Sequence, residues 1–594
     1  MNSVIHQAKP KSAVRTHGLV SLPLLAFATF ALSLSAQETA TTTLHPLPTV
    51  VVTGTRIPIE LEKSPTATSI ITAEEIEQKQ ARTVADILRD QPGIDLSRTG
   101  QPGGQTTLFL RGANGGHTLV LIDGIRVNRP FDNTFNFADL STDNIERIEI
   151  LRGPQSTIYG SEAMGGVINI VTKTGGAQPS GSALIEGGSY ESLRTRESFA
   201  ARYGKLSLAA SGSYFTTENA RANSDYLVWN LSARAGYEFS EQFKVNLLTT
   251  YSKSDAGAPN DRLTNDPNDF IKNEAKLFAL TFEAQPAPWW NAKLTLSHAR
   301  ERGFFSQLAP NPPFFFGDYT ALTLSDRDQI DFQNTFTLGE QHKFLLGGAY
   351  DDSSVKYNDT FGTIDSTIID KSVFAQYEFS PHDRFTATAG GRVDDHSTFG
   401  AKTTGKLGAR FTTPGTETIL RANLGTGFRA PSIADLYYPG FSNPALKPEE
   451  SLGWDFGVEQ SLAGGDVQVG VTYFQNEFRN LITYPFPTPI NVGRAKTLGL
   501  ETFAAWTPLP DLSLRATYTW LTAENVATGN RLPRRPEHNA SLEANYRFCA
   551  KFSTYARAKF ISSRLDTAPL VFTPASNGGY VKCDFGLAYD VCKN

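Results

Sequence analysis

The sequence predicts a wide transmembrane β-barrel of about 20 antiparallel strands, preceded by a small α/β domain that fills its lumen. Three observations predict it. Apolar and polar residues alternate over long stretches, connections between these stretches are very short or long in turn, and the pattern changes from α/β to pure strand near residue 176.

The alternation is clear in Leu512 to Trp520. Leu512, Leu514, Ala516, Tyr518 and Trp520 share one face, and Ser513, Arg515, Thr517 and Thr519 share the other. Val467, Val469, Val471 and Tyr473 alternate with Gln468, Gly470 and Thr472 in the same way, as do Val373, Ala375, Tyr377 and Phe379 with Gln376 and Glu378. Period-two strands also build sandwiches and propellers, so the connections decide. Phe239 to Gln242, Ser380 to Asp383, Thr413 to Thr416, Ala463 to Gly465 and Pro508 to Pro510 are tight. Ser252 to Lys272, Arg302 to Ser325 and Arg429 to Pro448 are long and polar. Tight turns at one end and long loops at the other mark an outer-membrane barrel, and Trp289, Trp290, Trp506 and Trp520 sit at strand ends, where an aromatic girdle belongs. A soluble sandwich has no reason to segregate its loops.

Composition agrees. The mean hydropathy of -0.27 is that of a soluble protein, yet a barrel strand shows lipid only at every second residue. Past residue 36 no apolar run reaches the roughly 18 residues of a spanning helix, which excludes a helical bundle. A net charge of -5 gives no basic surface for nucleic acid. The 3 cysteines, Cys549, Cys583 and Cys592, have no metal-ligand spacing and read as incidental small side chains. Ser, His and Asp form no ordered constellation, and Gly160 to Gly166 is a turn into a strand, so no enzyme is expected.

Along the chain, residues 1–36 read as a cleaved secretory signal: Lys9, Lys11 and Arg15, an apolar run from Gly18 to Leu34 interrupted by Pro23, and small residues up to Ala36. Residues 37–55 form a polar lead that carries Thr49, Val50, Val51, Val52 and Thr53 between Pro48 and Gly54. Such a tethered β-branched segment suits addition to the edge of a partner sheet. On composition alone, an ordinary first strand is the stronger reading. Residues 56–175 form the α/β domain. Thr72 and Glu75 occupy capping-box positions. Val84, Ala85, Ile87 and Leu88 make a second helix closed by Pro92-Gly93. Strands follow at 107–111, 118–122, 145–151 and 167–172. Residues 176–594 form the barrel.

Several ordered motifs resemble the TonB-dependent outer-membrane receptors: Thr83 to Gly93, Leu110 to Asn114 with Val120 to Gly124, Ile148 to Pro154, Ile158 to Ser161 leading into Gly165 to Ile170, and Gly427 to Pro431 with Asn443 to Glu449. Within that family, the plug wording and Leu532 to Pro536 are similar to the BtuB-like cobalamin-receptor subgroup. The resemblance implies a plugged monomer in the bacterial outer membrane, surrounded by its lipid. Thr49 to Thr53 becomes a TonB box that recruits a TonB-like energy-transducing protein. The transported ligand is expected to be cobalamin, with a ferric siderophore as the alternative. Haem is less well suited, because the segment from Pro431 to Asn443 contains no His. A porin or an adhesin, as a different class, would need neither plug nor box. The resemblance places the plug apices at Ser97 to Gln105 and Arg129 to Phe137, with Gln101, Gln105, Phe131 and Phe135 as ligand contacts.

Strand alternation directs Glu459, Glu501 and Glu543 to the lumen, because Val458, Leu500 and Leu542 face lipid. Carboxylates in a confined interior need cations, and Arg111 and Arg152 on the plug are the candidates for a plug–barrel latch; the alternative is that these carboxylates simply meet lumen water. Asp255, Asp261, Asp266 and Asp269 share one long loop and could hold structural Ca²⁺, although their irregular spacing also fits a solvated loop. No other cofactor is expected. Family barrels of about 22 strands continue beyond the strand matching Tyr580 to Tyr589, so the expectation is a barrel short of its last two strands, with its closure in question.

Overall fold

The computed structural model describes residues 50–51, 56, 59–259, 266–307, 318–485, 488–567 and 574–591. The expected signal, most of the lead, Thr49, Val52, Thr53, Asp261 and Cys592 lie outside these residues.

The lead's described part is a two-residue strand, β1 (Val50–Val51), antiparallel to β2 (Ile59–Glu60). The plug then follows as β3 (Thr68–Thr72), α1 (Ala73–Gln78), α2 (Val84–Leu88), β4 (Ile94–Arg98), β5 (Thr106–Leu110), β6 (Thr118–Ile122), β7 (Ile125–Arg126), β8 (Ile145–Arg152), α3 (Ser156–Tyr159) and β9 (Gly166–Thr172). Local chemistry sets the helix starts. The Thr72 hydroxyl accepts from the Glu75 amide at 3.2 Å, and the Glu75 carboxylate accepts from the Thr72 amide at 3.1 Å. Thr83 and Asp86 repeat the device at α2.

A five-stranded sheet in the order β3-β8-β9-β6-β7 carries the plug core, with β6 and β9 parallel and the other neighbours antiparallel. Ile87, Leu88, Ile94, Ile148, Ile150 and Ile168 are fully buried there, and Leu248, Leu277 and Ala279 of the barrel wall join the same cluster. At about 1.5–3 kcal/mol per buried aliphatic side chain, this cluster gives the plug its own stability and also welds it to one wall. Strand β3, Thr-Ser-Ile-Ile-Thr, escapes a reading of the sequence because its apolar residues are adjacent rather than alternating.

Among the described residues, twenty antiparallel strands form one sheet, from Ser180–Gly188 to Tyr580–Tyr589, with a separate hairpin of Arg564–Thr567 and Pro574–Asn577 between its last two strands. Ser180–Gly188 and Tyr580–Tyr589 are its edges; among the described residues no pairing joins them. Side-chain exposure inverts the pattern of a soluble protein. Leu231, Phe278, Phe332, Val373 and Leu542 face outward and are exposed, whereas Arg194, Gln376, Arg392, Glu501 and Lys559 face inward and are buried. The tight turns gather at one end, for example between Ser240 and Phe243, and between Leu509 and Leu512. Trp289, Trp290 and Phe336 stack beside them as part of a girdle.

Two of the long loops are shorter than the sequence suggests. Ladder pairs run from Ser252↔Ala275 up to Gly257↔Phe270, and from Arg302↔Leu324 up to Gln307↔Tyr319. A membrane crossing takes about 9–11 strand residues, and strands here reach 21 residues at Gly362–His382. Their outer parts stand in water, so hydrogen-bonded strand persists where the apolar face has ended.

Candidate functional site: the plug–barrel interface

Arg111 follows β5 in a left-handed conformation, at φ 50°. This kink turns its guanidinium away from the plug sheet and into the wall. Nε and Nη2 donate to the two Glu501 oxygens at 3.0 and 2.8 Å, and Nη1 donates to Asp455 at 2.9 Å. The guanidinium also lies 4.6 Å from the Phe474 ring centroid. Burial alone would lower its pKa, but Glu501 and Asp455 hold it above the usual arginine value. Arg152 reaches Glu501 at 3.9 Å and donates to the Pro92 carbonyl at 3.0 Å and the Ser69 hydroxyl at 2.8 Å. Burial lowers the Arg152 pKa to about 10, with Arg111 as one further cause. Gly93 completes the packing. It has φ 73°, and a Cβ there would lie 2.0 Å from a Glu501 oxygen.

Three of the five expected latch residues, Arg111, Arg152 and Glu501, therefore meet. Glu459 and Glu543 do not join them. Glu459 pairs with Arg421 on the neighbouring barrel strand, and Glu543 pairs with Lys79 at the end of α1, at 2.9 Å. Alternation fixes the face of a strand but not the height or azimuth in the lumen, and Glu459 lies toward the short-turn end. Asp455, four residues earlier on the same face, is the carboxylate that sequence reading missed.

Further anchors line the same C-terminal half of the wall. His117 stands 2.8 Å from Glu449, which also binds Arg429. Arg535 donates to Gly112 O at 3.2 Å and to Asn114 at 2.5 Å, and it covers the Phe109 ring at 4.3 Å. Arg557 bridges to Asp90 at 2.7 Å. The barrel motifs around Arg429, Glu449 and Arg535 are thus plug-fastening motifs.

The four apex residues have different fates. Gln101 accepts from the Ala220 amide at 2.6 Å. Phe131 stacks on Tyr357 at 5.1 Å, and its carbonyl accepts from Ala434 at 2.9 Å, in helix α4 (Ile433–Tyr437). Phe135 meets Phe137 edge-on at 4.9 Å, and Gln105 is exposed. Among the described contacts, no hydrogen bond or ring contact links one of these four side chains to another.

Asp261 lies outside the described residues, and among those described Asp255, Asp266 and Asp269 belong to no group of three or more potential metal ligands. Asp255 pairs with Lys272 at 3.2 Å. Asp266 accepts from the Asn268 and Asp269 amides at 2.9 and 2.8 Å and so shapes its own turn. Near the other end of the plug, Arg56, at φ 54°, binds Asp331 at 2.6 Å and lies over Tyr159 and Phe374 at 4.7 and 5.0 Å. Nothing in the sequence singled it out beyond being the first basic residue after the Thr49–Thr53 segment.

A filled barrel, a plug held by buried ion pairs and a paired strand just before it define a particular architecture. Residues 242–594 match the family model described as "TonB dependent receptor-like, beta-barrel", and residues 60–167 match the one described as "TonB-dependent Receptor Plug Domain". The chain belongs to the TonB-dependent receptor family. It is an outer-membrane β-barrel of TonB-dependent transport. Among its relatives, the vitamin B12 transporter BtuB of Vibrio vulnificus is 29% identical over 90% of this chain and 87% of the relative. The BtuB of Photobacterium profundum is 27% identical over 84% and 82%. Among solved structures, the receptor is similar in fold to the siderophore receptor PirA of Acinetobacter baumannii (TM-score 0.75, 18% identity, 89% and 92% covered) and to the ferripyoverdine receptor of Pseudomonas aeruginosa (TM-score 0.78, 16% identity, 92% and 83% covered).

Proposed function

We propose that the receptor takes up a cobalamin, with Thr49 to Thr53 acting as the TonB box. The observation that carries this reading is the likeness to vitamin B12 transporters, 29% identical over 90% of the chain. The likenesses to siderophore receptors, at 16–20% identity, concern the fold and carry no argument about ligand. The pairing of Val50 and Val51 with Glu60 and Ile59 supports the box, since a segment that forms a strand edge within its own chain has the conformation needed to join a partner's sheet.

Equilibrium binding of the purified receptor to cyanocobalamin, ferric enterobactin and haem tests the ligand. Cyanocobalamin is expected to bind, and selective binding of ferric enterobactin overturns the reading. Deleting residues 49–53 is expected to abolish uptake while leaving binding intact; uptake that survives the deletion marks a passive pore.

A further inference from the structure

Four consecutive barrel strands, Phe243–Gly257, Phe270–Ala287, Trp290–Gln307 and Tyr319–Leu338, change the character of their outward face within a few residues. Their facing is fixed from inside. Leu248, Leu277 and Ala279 pack in the plug core, so Leu247, Lys276, Phe278 and Leu280 point away from it. The ladder then sorts the outward residues into rows that run across the four strands. Val245, Phe282, Leu294 and Phe332 form one row, and Leu247, Leu280, Leu296 and Ile330 form the next. Both are wholly apolar. Thr249, Phe278, His298 and Asp328 follow, with His298 at 2.8 Å from Asp328. The next row is Tyr251, Lys276, Arg300 and Asp326. Lys253, Glu274, Arg302 and Leu324 come after it, and then Asp255, Lys272, Phe304 and Leu322. A membrane crossing takes about 9–11 strand residues. Counted from Trp290 in the girdle at the short-turn end, it finishes at Arg300. These charged rows therefore stand at the headgroup level of the outer leaflet.

The charged rows hold five cations and three carboxylates. Lys253, Lys272, Lys276, Arg300 and Arg302 are all exposed. Lys272 pairs with Asp255 at 3.2 Å, Lys276 with Glu274 at 2.7 Å and Arg300 with Asp326 at 2.5 Å. Lys253 and Arg302 flank Glu274 on the ladder and form no ion pair among the described residues. Lys276 and Arg300 lie directly opposite each other, an arrangement that weakens a ladder unless an anion sits between them. We propose that these rows bind the phosphate groups of an outer-leaflet glycolipid, whose acyl chains lie over Phe278, Leu280, Leu296 and Ile330. A phosphate between Lys276 and Arg300 takes paired N–H donors from the guanidinium and a point charge from the ammonium. Lys253 and Arg302 are placed for a second. Surplus positive charge directly above apolar rows is the complement of an anionic headgroup above its chains. The proposal depends on the outer-membrane location of the barrel and not on the ligand transported.

Native mass spectrometry of the receptor in nanodiscs of zwitterionic lipid tests this, with bisphosphorylated lipid A and the same lipid stripped of phosphate as probes. The wild type is expected to retain the phosphorylated form at least about tenfold more strongly. Lys276→Gln with Arg300→Gln is expected to lower that retention about tenfold. Arg479→Gln with Lys496→Gln removes the same charge from the strands Val467–Thr483 and Ile490–Leu509, where both residues neighbour Glu477, and should stay within about two-fold of the wild type. Heat-modifiable gel migration checks that each variant is assembled. Equal retention of the two lipids by the wild type, or retention of neither, overturns the proposal without recourse to a variant. Retention lost equally in both double variants, or kept by Lys276→Gln with Arg300→Gln, overturns it as well.

Discussion

Replacing Glu501 with Ala is expected to loosen the plug. Arg111 and Glu501 have side-chain exposures of 1% and 6%, and Arg111 makes two of its three carboxylate hydrogen bonds to Glu501. Without Glu501, two buried guanidiniums, Arg111 and Arg152, face Asp455 alone at this contact. Removing one partner of a buried ion pair costs about 3–5 kcal/mol, most of it the penalty of the charge left behind. At about 1.4 kcal/mol per tenfold, plug release becomes roughly 10²- to 4 × 10³-fold easier. Two assays read this directly: passive conductance of the purified receptor in planar bilayers, and the force needed to extract the plug when the chain is pulled from its N-terminal side. Glu459→Ala is the internal control, because Glu459 pairs with Arg421 within the barrel wall and should change neither reading. Conductance and extraction force that are unchanged in Glu501→Ala would refute the assignment of a latch.

Three further outcomes follow from the same geometry. Arg56→Ala removes a half-buried ion pair and two ring contacts, together about 1–3 kcal/mol, and should speed thiol labelling of a cysteine placed at position 51 by roughly tenfold; an unchanged rate removes Arg56 as the clasp of that segment. Gly93→Ala adds a methyl 2.0 Å from Glu501 at φ 73°, so the folded fraction seen by heat-modifiable gel migration should fall, and normal assembly would show that the loop gives way. Burial raises the Asp95 carboxyl in β4 to about 6. An acid whose pKa is higher folded than unfolded weakens the fold as pH rises, here between about 4 and 6, by about 3 kcal/mol in all. Asp95→Asn should therefore flatten urea stability across that window and be the more stable form at pH 7; parallel curves for the two proteins would contradict this.

Much of the architecture was legible because barrels write period two into every strand and segregate their connections. The face of Glu501 could be read from Leu500 alone. Its partner could not, because Arg111 lies 390 residues away and its aim depends on a left-handed backbone. The same alternation that found Glu501 gave Glu459 an identical face and a different partner. Face is a local property, whereas height in the lumen is set by strand tilt and stagger summed around the sheet. Arg56 and Asp331 were invisible for the same reason, as was the pairing of His117 with Glu449. The apex residues and loop acids were placed by likeness and residue type, and type does not reveal that one carboxylate oxygen of Asp266 caps its own turn.

The β1–β2 ladder has a consequence for recruitment. Val50 and Val51 already use their backbone on Glu60 and Ile59, so on the proposed reading of Thr49 to Thr53 as a TonB box, a transducer that takes that edge must displace a neighbour that is covalently attached. A tethered strand competes at an effective concentration in the millimolar range, far above what a scarce membrane protein supplies by diffusion. On that reading an idle receptor leaves transducers to others, and two residue pairs set how readily it joins the queue.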